Sequence, residues 1–334
     1  MGGAHVKAAR VDQARVVAAM QLPCPLWQGL EYLDAAMDDV LARLGPAPRH
    51  AITMTGEMVD LFASRAEGVA ALVAAAAKKL GAGNVRIFAG DAGFVAAHEA
   101  AQHWHGIASA NWLATAMLLA AKLPQALLVD IGSTTTDVVP VKDGKVLAQG
   151  RSDSQRLVHD ELVYTGIVRT PLMAVTATVE FEGQSQNVMA ELFATMADAY
   201  RVASRLPEDA DDFPAADQGE KTVPESARRL ARMLGRDAES APLEVWRRLA
   251  ETFIELQTIR IEKACERVLE RANLIADAPF VGAGCGRFVA ESVARRLARP
   301  YRDFADLVPA DPAARHWASV CAPAVAVACL AAGV

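Results

Sequence analysis

The chain has 334 residues, 52% of them hydrophobic, which is enough to fill two ordinary cores, and a formal net charge of -6 at pH 7. An acidic balance gives no basic surface for phosphate backbones, so nucleic acid is not an expected partner. Five cysteines (Cys24, Cys265, Cys285, Cys321, Cys329) form no CxxC pair and no signal peptide opens the chain, so reduced thiols and a cytoplasmic location are expected.

Taken in order, ARVVAAM reads as a strand, and LWQGLEYLDAAMDDVLARL as an amphipathic helix with Leu30, Leu33, Met37 and Leu41 on one face. AITMTGE is a strand entering a loop. An alanine-rich helix follows to about Leu80, closed by Gly81, and NVRIFAG is the next strand. A helix over Ala110 to Lys122 ends before Pro124. ALLVDIG and TTDVVPV are two strands joined by a polar turn, and KDGK makes a tight hairpin into VLAQG. MAVTATVEFEG and QSQNVMAEL suggest further strand pairing. Beyond Ala190 the pattern is mostly helical. The acidic stretch PEDADDFPAADQGE reads as a solvated loop, LEVWRRLAETFIELQTIRIEKACERVLERAN as one long helix, and PFVGAGCGRFVAESVARRLA as strand, glycine turn and helix. ASVCAPAVAVACLAAGV is too short to span a bilayer of about 30 Å comfortably and reads as a buried helix packed on a sheet, so no membrane is expected. The alternation predicts an α/β protein with mixed sheets.

At an offset of 130 residues, GGAHVKAARVDQARVVA lies over GSTTTDVVPVKDGKVLA, and both read as glycine turn, strand, polar turn, strand. The two stretches suggest a duplicated module. Met1 then lies over Ile131, so the partner of Asp130 falls at residue zero and the strand equivalent to ALLVD has no counterpart. Either translation was assigned a late start or the first module lacks its central strand; the late start is the favoured expectation, because an orphan hairpin leaves a sheet edge unpaired.

The turn between the two strands of LLVDIGSTTTDVVPV carries Gly132 and the hydroxyl residues Ser133, Thr134, Thr135 and Thr136 between Asp130 and Asp137. Backbone N–H and side-chain O–H groups gathered in such a turn form an anion cradle, and Asp130 at the strand end can hold a divalent cation. Asp137 can position water, hold the same ion or act as a base. Threonines also simply favour β-structure. Gly282, Gly284 and Gly286 in FVGAGCGRF form a second glycine-rich turn at a helix start, where backbone can approach a ligand or merely turn tightly. Lys7 lies within reach of a phosphate on the first loop, or is merely exposed. Glu57 in TMTGEMVD sits where α/β ligand sites collect, though a helix cap led by Thr55 explains it nearly as well. His103 and His105 lack a third ligand, so surface or packing roles are expected for them, and Cys285 lacks a catalytic signature and reads as a small packing residue.

GGAHVKAA, TMTGEMVD, VDIGSTTTDVVPV, RSDSQRLVHDELVYTGIVRTPL and GAGCGRF, in this order, resemble the hydantoinase/oxoprolinase-like branch of the actin-type ATPase superfamily, and within it the methanofuran-biosynthesis synthases of tetrahydromethanopterin-linked one-carbon pathways. The resemblance implies a duplicated ribonuclease H-like fold, two subdomains around a central phosphate-binding cleft. The first would hold residues 1–122 with 315–334, and the second 123–314 with a helical insertion at about 206–272. It implies a transferase of alkyl or aryl groups that joins the phenol of γ-glutamyltyramine, or of tyrosine for methylofuran, to an aminomethylfuran diphosphate, releasing diphosphate.

By this resemblance Asp130 and Asp137 serve Mg²⁺, and Gly2, Gly3, Lys7, Gly132, Ser133 to Thr136, Gly282, Gly284 and Gly286 grip diphosphate. Arg151, Asp160, Glu161 and Tyr164 contact amine and phenol, and the base is Asp137, Glu57 or Asp160. ATP or ADP is a further candidate ligand. Small molecules are the expected partners, with a homodimer left open. In the family the first loop follows a strand and an aspartate, from which this chain departs. Rival readings within the same fold are an ATP-dependent small-molecule kinase, a hydantoinase-like hydrolase or a non-catalytic nucleotide-binding protein.

Overall fold

The computed structural model describes residues 1–334. The first half opens with an antiparallel pair, β1 (His5–Asp12) and β2 (Arg15–Pro23), followed by α1 (Leu30–Leu44), β3 (His50–Ile52), α2 (Arg65–Leu80), β4 (Val85–Phe88), β5 (Phe94–Ala96), α3 (Trp104–Ile107) and α4 (Asn111–Lys122). The second half continues with β6 (Gln125–Ile131), β7 (Thr136–Lys142), β8 (Lys145–Val146), α5 (Asp153–Val158), β9 (Leu162–Val163), β10 (Thr178–Phe181), β11 (Gln184–Asn187), α6 (Met196–Val202), α7 (Val223–Arg232), α8 (Leu243–Ala272), β12 (Phe280–Ala283), α9 (Arg287–Arg296), β13 (Tyr301–Asp303), α10 (Arg315–Val320) and α11 (Ala322–Ala332).

Local chemistry explains most boundaries. The Ser64 hydroxyl accepts the Glu67 N–H at the start of α2, and Gly81, at φ +84°, ends it in a conformation that side chains disfavour. Ser152 and Gln155 form a capping box at the start of α5. In α8 the buried positions Trp246, Leu249, Ala250, Phe253, Ile254 and Ile261 follow helical spacing, so one stripe of a heavily charged helix packs inward. The apolar C-terminal run is two helices bent by 109° about a break before Pro323, rather than the single helix expected, and no single helix is long and apolar enough to cross a membrane.

The larger sheet has the order β13-β12-β6-β7-β8, with β9 also on β7; β12 runs parallel to β6 and β13, whereas β6 and β7 are antiparallel. The smaller sheet, β3-β4-β5, is likewise mixed, and β1 with β2 forms a separate ribbon. Helix α11 packs back on β1, β3 and α4. Helix α4 packs on β6, β7 and β8 and also on α11, within the larger of the two buried cores. The long α8 packs on β7 as well as on α6 and α7, and thus covers the sheet as part of that core.

The duplication is visible atom by atom. Gly2 N–H donates to the His5 carbonyl at 2.9 Å, and 130 residues later Gly132 N–H donates to the Thr135 carbonyl at 2.9 Å. The hairpin turn at Asp143 and Gly144 has φ of 52° and 74°, the left-handed pair that Asp-Gly favours, and Gln13 and Ala14 repeat it with 46° and 62° without any glycine. The acidic loop is less free than its composition predicts: Asp211 pairs with Arg201 and Lys221, and Asp217 with Arg229 and Arg232.

Candidate functional site

A cleft of about 1250 Å³ opens between the halves, and both glycine loops face it. From the first half come Gly2, Gly3 and Lys7; from the second come Asp130, Gly132, Ser133, Thr134, Thr135 and Asp137. The loop carbonyls of the second cradle are spent on its own support: Gly132 accepts from Ile167 N–H at 3.1 Å, and Ser133 from Val168 and Arg169 at 3.1 and 2.8 Å. The backbone N–H groups of Ser133, Thr134 and Thr135 donate to no backbone acceptor, and those of Gly3 and Ala4 likewise. These unspent donors, in a turn fixed from behind and lining the cleft, are groups that an anion there would meet. Thr136 is not among them, because its hydroxyl is buried and donates to the Thr165 carbonyl at 2.8 Å.

Asp130 lies at the end of β6, nearly buried, and burial pushes its carboxyl up to about 7, with Lys7 working the other way and Asp137 reinforcing the rise. Lys7 anchors its Nζ on the Val320 carbonyl at 2.7 Å. Asp137, one rung across from Asp130 on β7, accepts from Arg156 Nη2 at 2.9 Å. Burial still raises its pKa above the ordinary carboxylate range, with Arg156 opposing. No cluster of three or more His, Cys, Asp or Glu side chains capable of holding a metal by protein ligands alone is present. A magnesium ion shared with substrate phosphates needs only one or two carboxylates, and Asp130, without a hydrogen-bond donor of its own, is the group such an ion would satisfy. The residues present therefore fit a phosphate-bound Mg²⁺, with Asp130 as the principal protein ligand; the charge of Asp137 is already met by Arg156.

Glu57 lies behind the cleft wall: it is buried, Oε1 accepts from Ser109 Oγ at 2.8 Å, Oε2 has no partner, and burial raises its pKa. The same Ser109 hydroxyl lies 3.1 Å from Asp153 Oδ2, which Arg65 contacts at 2.6 Å, so the first half is tied to α5. Tyr164 lines the cleft and is largely exposed.

Several expected site residues are elsewhere. Asp160 forms a two-pronged pair with Arg267, at 2.5 and 2.7 Å, on the outer surface. Glu161 is fully buried and accepts from the N–H groups of Gln149 and Gly150, at 2.8 and 3.0 Å, and from Arg271 at 2.9 Å. Its acceptors are filled, so it braces the chain instead of meeting substrate. Arg151 reaches Asp91 at 3.0 Å and the Ala148 carbonyl at 2.9 Å, outside the cleft lining.

The three glycines of FVGAGCGRF pack rather than bind. A Cβ on Gly282 would strike the Tyr301 ring, one on Gly284 would lie 2.2 Å from the Ile131 carbonyl oxygen and 2.6 Å from Asp130 Oδ1, and one on Gly286 would meet Ile131 Cγ2 at 2.4 Å. Gly284 and Gly286 also spend their N–H groups on Ser319 and Ile131 carbonyls, both at 2.8 Å. They seat the end of β6 and so hold Asp130 in place.

Arg156 is the cleft residue that sequence reasoning missed. It is buried, and its guanidinium lies 4.0 Å from the Trp112 ring centroid. It stands in RSDSQRLVHD, yet nothing in the spacing distinguishes it from Arg151.

The hydantoinase/oxoprolinase family model matches residues 49–331. The chain belongs to the hydantoinase/oxoprolinase family. Within that family, it is similar to the (4-{4-[2-(gamma-L-glutamylamino)ethyl]phenoxymethyl}furan-2-yl)methanamine synthase of Methanocaldococcus jannaschii, 28% identical over 280 residues that cover 82% of each chain. It also resembles the synthase of the same name from Methanococcus vannielii, 42% identical over 82 residues, which are 25% of this chain and 36% of that one. Among solved structures, component A of Acidaminococcus fermentans (R)-2-hydroxyglutaryl-CoA dehydratase matches with TM-score 0.42 and 9% identity, over 99% of this chain and 96% of that chain. The activator of Clostridium difficile 2-hydroxyisocaproyl-CoA dehydratase, with bound ADPNP, matches with TM-score 0.44 and 10% identity, over 100% of this chain and 94% of that chain.

Proposed function

We propose that this family member is a transferase that condenses an aminomethylfuran diphosphate with the phenol of γ-glutamyltyramine or tyrosine, forming an aryl ether and releasing diphosphate in methanofuran or methylofuran biosynthesis. The named synthases support the product class. The observation that carries the reading is the set of unspent N–H groups at Ser133, Thr134 and Thr135, in one cleft with Lys7 and the nearly buried Asp130. Such a site suits a leaving group that is a polyanion.

In this reading the Gly132–Thr135 turn and the Gly2–Gly3 loop hold the diphosphate, and Lys7 offsets its charge. Asp130 is the ligand for Mg²⁺, which when bound supplies further neutralisation of the leaving group. The phenol oxygen forms its bond to the furan methylene carbon as the carbon–oxygen bond to diphosphate breaks, and the bonding pair departs with diphosphate. The phenolic proton passes to Asp137, whose burial-raised pKa suits a general base and whose position Arg156 fixes. Tyr164, which lines the cleft and is largely exposed, packs on the aromatic acceptor in this reading. ATP or ADP is a competing occupant of the same cradle.

Incubation with the furan diphosphate and either phenol, read by mass spectrometry and diphosphate release, tests the proposal. Ether product and diphosphate in equal amounts are expected. ATP hydrolysis without ether product would sink it in favour of a kinase-like or hydrolase-like activity.

A further inference from the structure

Residues 162–170 form the back support of the hydroxyl turn. Ile167, Val168 and Arg169 give their N–H groups to the Gly132 and Ser133 carbonyls, and a Cβ on Gly166 would stand 2.5 Å from the Gly132 carbonyl oxygen. The stretch is itself held by α8: Gln257 Nε2 donates to the Thr165 hydroxyl at 2.7 Å and to the Gly166 carbonyl at 2.9 Å. Gly166 N–H donates to the Thr170 hydroxyl at 2.8 Å. Within this braced stretch only Tyr164 and Arg169 are exposed, and both line the cleft.

Arg169 is a cation without a partner. Its guanidinium makes no ion pair or hydrogen bond and lies 5.4 Å from the ring centroid of Trp27. Other cleft cations are anchored: Lys7 on the Val320 carbonyl, Arg10 on the Leu44 and Pro46 carbonyls, Arg86 on the Gly83 and Val85 carbonyls, and Arg156 on Asp137. Arg49 is also free, but it precedes β3, and it is the stretch beyond the other end of β3, Thr53 and Thr55, that meets Met1 and the first glycine loop.

Trp27 belongs to the first half, in the turn Leu26–Gln28 between β2 and α1. It lines the cleft too, and its ring leans on Phe213 with centroids 5.6 Å apart. A guanidinium stacked over an aromatic ring spends its face on the ring and keeps its in-plane N–H fork free for a carboxylate.

Two anions could claim that fork, the diphosphate and a carboxylate of the acceptor. The Ser133 carbonyl, which accepts from Arg169 N–H, and the Thr134 N–H belong to one trans peptide unit and point opposite ways. The backbone of Arg169 therefore lies behind the donors of the turn, not in front of them. Beyond its phosphates, the aminomethylfuran diphosphate carries only an ammonium, which a guanidinium repels. The phenols of the proposed reaction do carry a carboxylate remote from the hydroxyl, on tyrosine directly and on γ-glutamyltyramine through its glutamyl group.

We propose that Arg169, supported by the face of Trp27, binds the carboxylate of the phenolic acceptor and sets a preference for carboxylated over plain phenols. The identity of the acceptor rests on the transferase reading above. One braced stretch then fixes the diphosphate cradle from behind and presents both Tyr164 and the carboxylate anchor to the cleft, so the reacting groups are positioned together.

The test compares the parent, Arg169→Met and Arg169→Lys with tyrosine, γ-glutamyltyramine and tyramine, which has no carboxylate. Titration calorimetry of each phenol, with Mg²⁺ and diphosphate present, reads binding whether or not ether forms; assays with the furan diphosphate give kcat and KM. The parent is expected to bind its preferred carboxylated phenol at least tenfold more tightly than tyramine. In Arg169→Met that preference should fall at least tenfold, through KM with kcat little changed, and Arg169→Lys should recover part of it. Diphosphate affinity should move less than about twofold, and the melting temperature should stay within about 2 °C of the parent, because the side chain is exposed and unbonded. An unchanged preference, or an equal loss for tyramine, would overturn the proposal. A tenfold loss of diphosphate affinity would overturn it too and make Arg169 part of the phosphate grip. Absence of ether product from the parent with every phenol would sink the transferase reading, while the titrations would still decide the role of Arg169.

Discussion

Arg156 holds Asp137 by a 2.9 Å hydrogen bond inside the protein, where neither group has much access to water. A buried carboxylate stripped of its cation must either protonate or bear the full desolvation cost. Arg156→Met is therefore expected to destabilise the fold by about 3 kcal/mol and to lower turnover by at least tenfold. It should also move the acidic limb of the rate profile to higher pH, since burial, the largest influence on Asp137, raises its pKa and Arg156 is the main group opposing that rise. Urea unfolding and a pH–rate profile check it. An unmoved acidic limb would remove Asp137 from the role of base.

Asp130 makes an opposite prediction. Its folded-state pKa, raised from 3.8 to about 7, lies above the unfolded value, so the folded protein binds the proton more tightly. Stability from this group is present below the unfolded pKa and is lost as pH rises toward 7, by on the order of 4 kcal/mol in all. Asp130→Asn should then be more stable than the parent at pH 8 and nearly equal to it at pH 4. Adding Mg²⁺ with diphosphate should raise the melting temperature of the parent but not of the variant. Calorimetry at the two pH values, with and without ligand, decides.

Two glycines separate binding from support. At Gly132 an added Cβ meets only the Thr135 carbonyl oxygen, at 3.5 Å, so Gly132→Ala should fold normally. It narrows the cradle, and a several-fold weaker diphosphate affinity is expected from titration calorimetry. Gly284 has φ +80° and no room beside Ile131 and Asp130. Gly284→Ala should cost about 2–4 kcal/mol and displace Asp130, lowering stability and affinity together.

The contrast shows how far the sequence is legible. The hydroxyl turn, its flanking acids and the duplicated hairpin are local features, written in consecutive residues, and the matched Gly2 and Gly132 turns follow directly from them. Partner choice is not local. Glu161 and Asp160 adjoin each other, yet one is spent on Arg271 and the other on Arg267, both on α8 and more than a hundred residues on. The helical spacing of those two arginines places them on one side of α8, but no pattern announces which carboxylates they meet. Gly282, Gly284 and Gly286 misled for the same reason: a glycine demanded by a neighbouring strand reads like one demanded by a phosphate.

The hairpin at Gln13 and Ala14 carries a strain that its duplicate avoids. Both residues sit at positive φ, 46° and 62°, where Asp143 and Gly144 serve in the second module. Left-handed conformation at a residue with a Cβ costs about 1 kcal/mol relative to glycine. Ala14→Gly should accordingly stabilise the protein by about that amount, with diphosphate affinity unchanged, because the turn lies at the far end of β1 from the glycine loop.

Glu161 separates structural from substrate roles most cleanly. Its two oxygens accept from Gln149, Gly150 and Arg271 without reaching the cleft. In Glu161→Gln one oxygen becomes an amide that faces donors, so at least one N–H loses its acceptor and the half-buried Arg271 loses its counter-charge. A loss of about 2–3 kcal/mol in urea unfolding is expected, with KM for the phenol unchanged in the fraction that remains folded. A large rise in KM at unchanged stability would return Glu161 to the substrate.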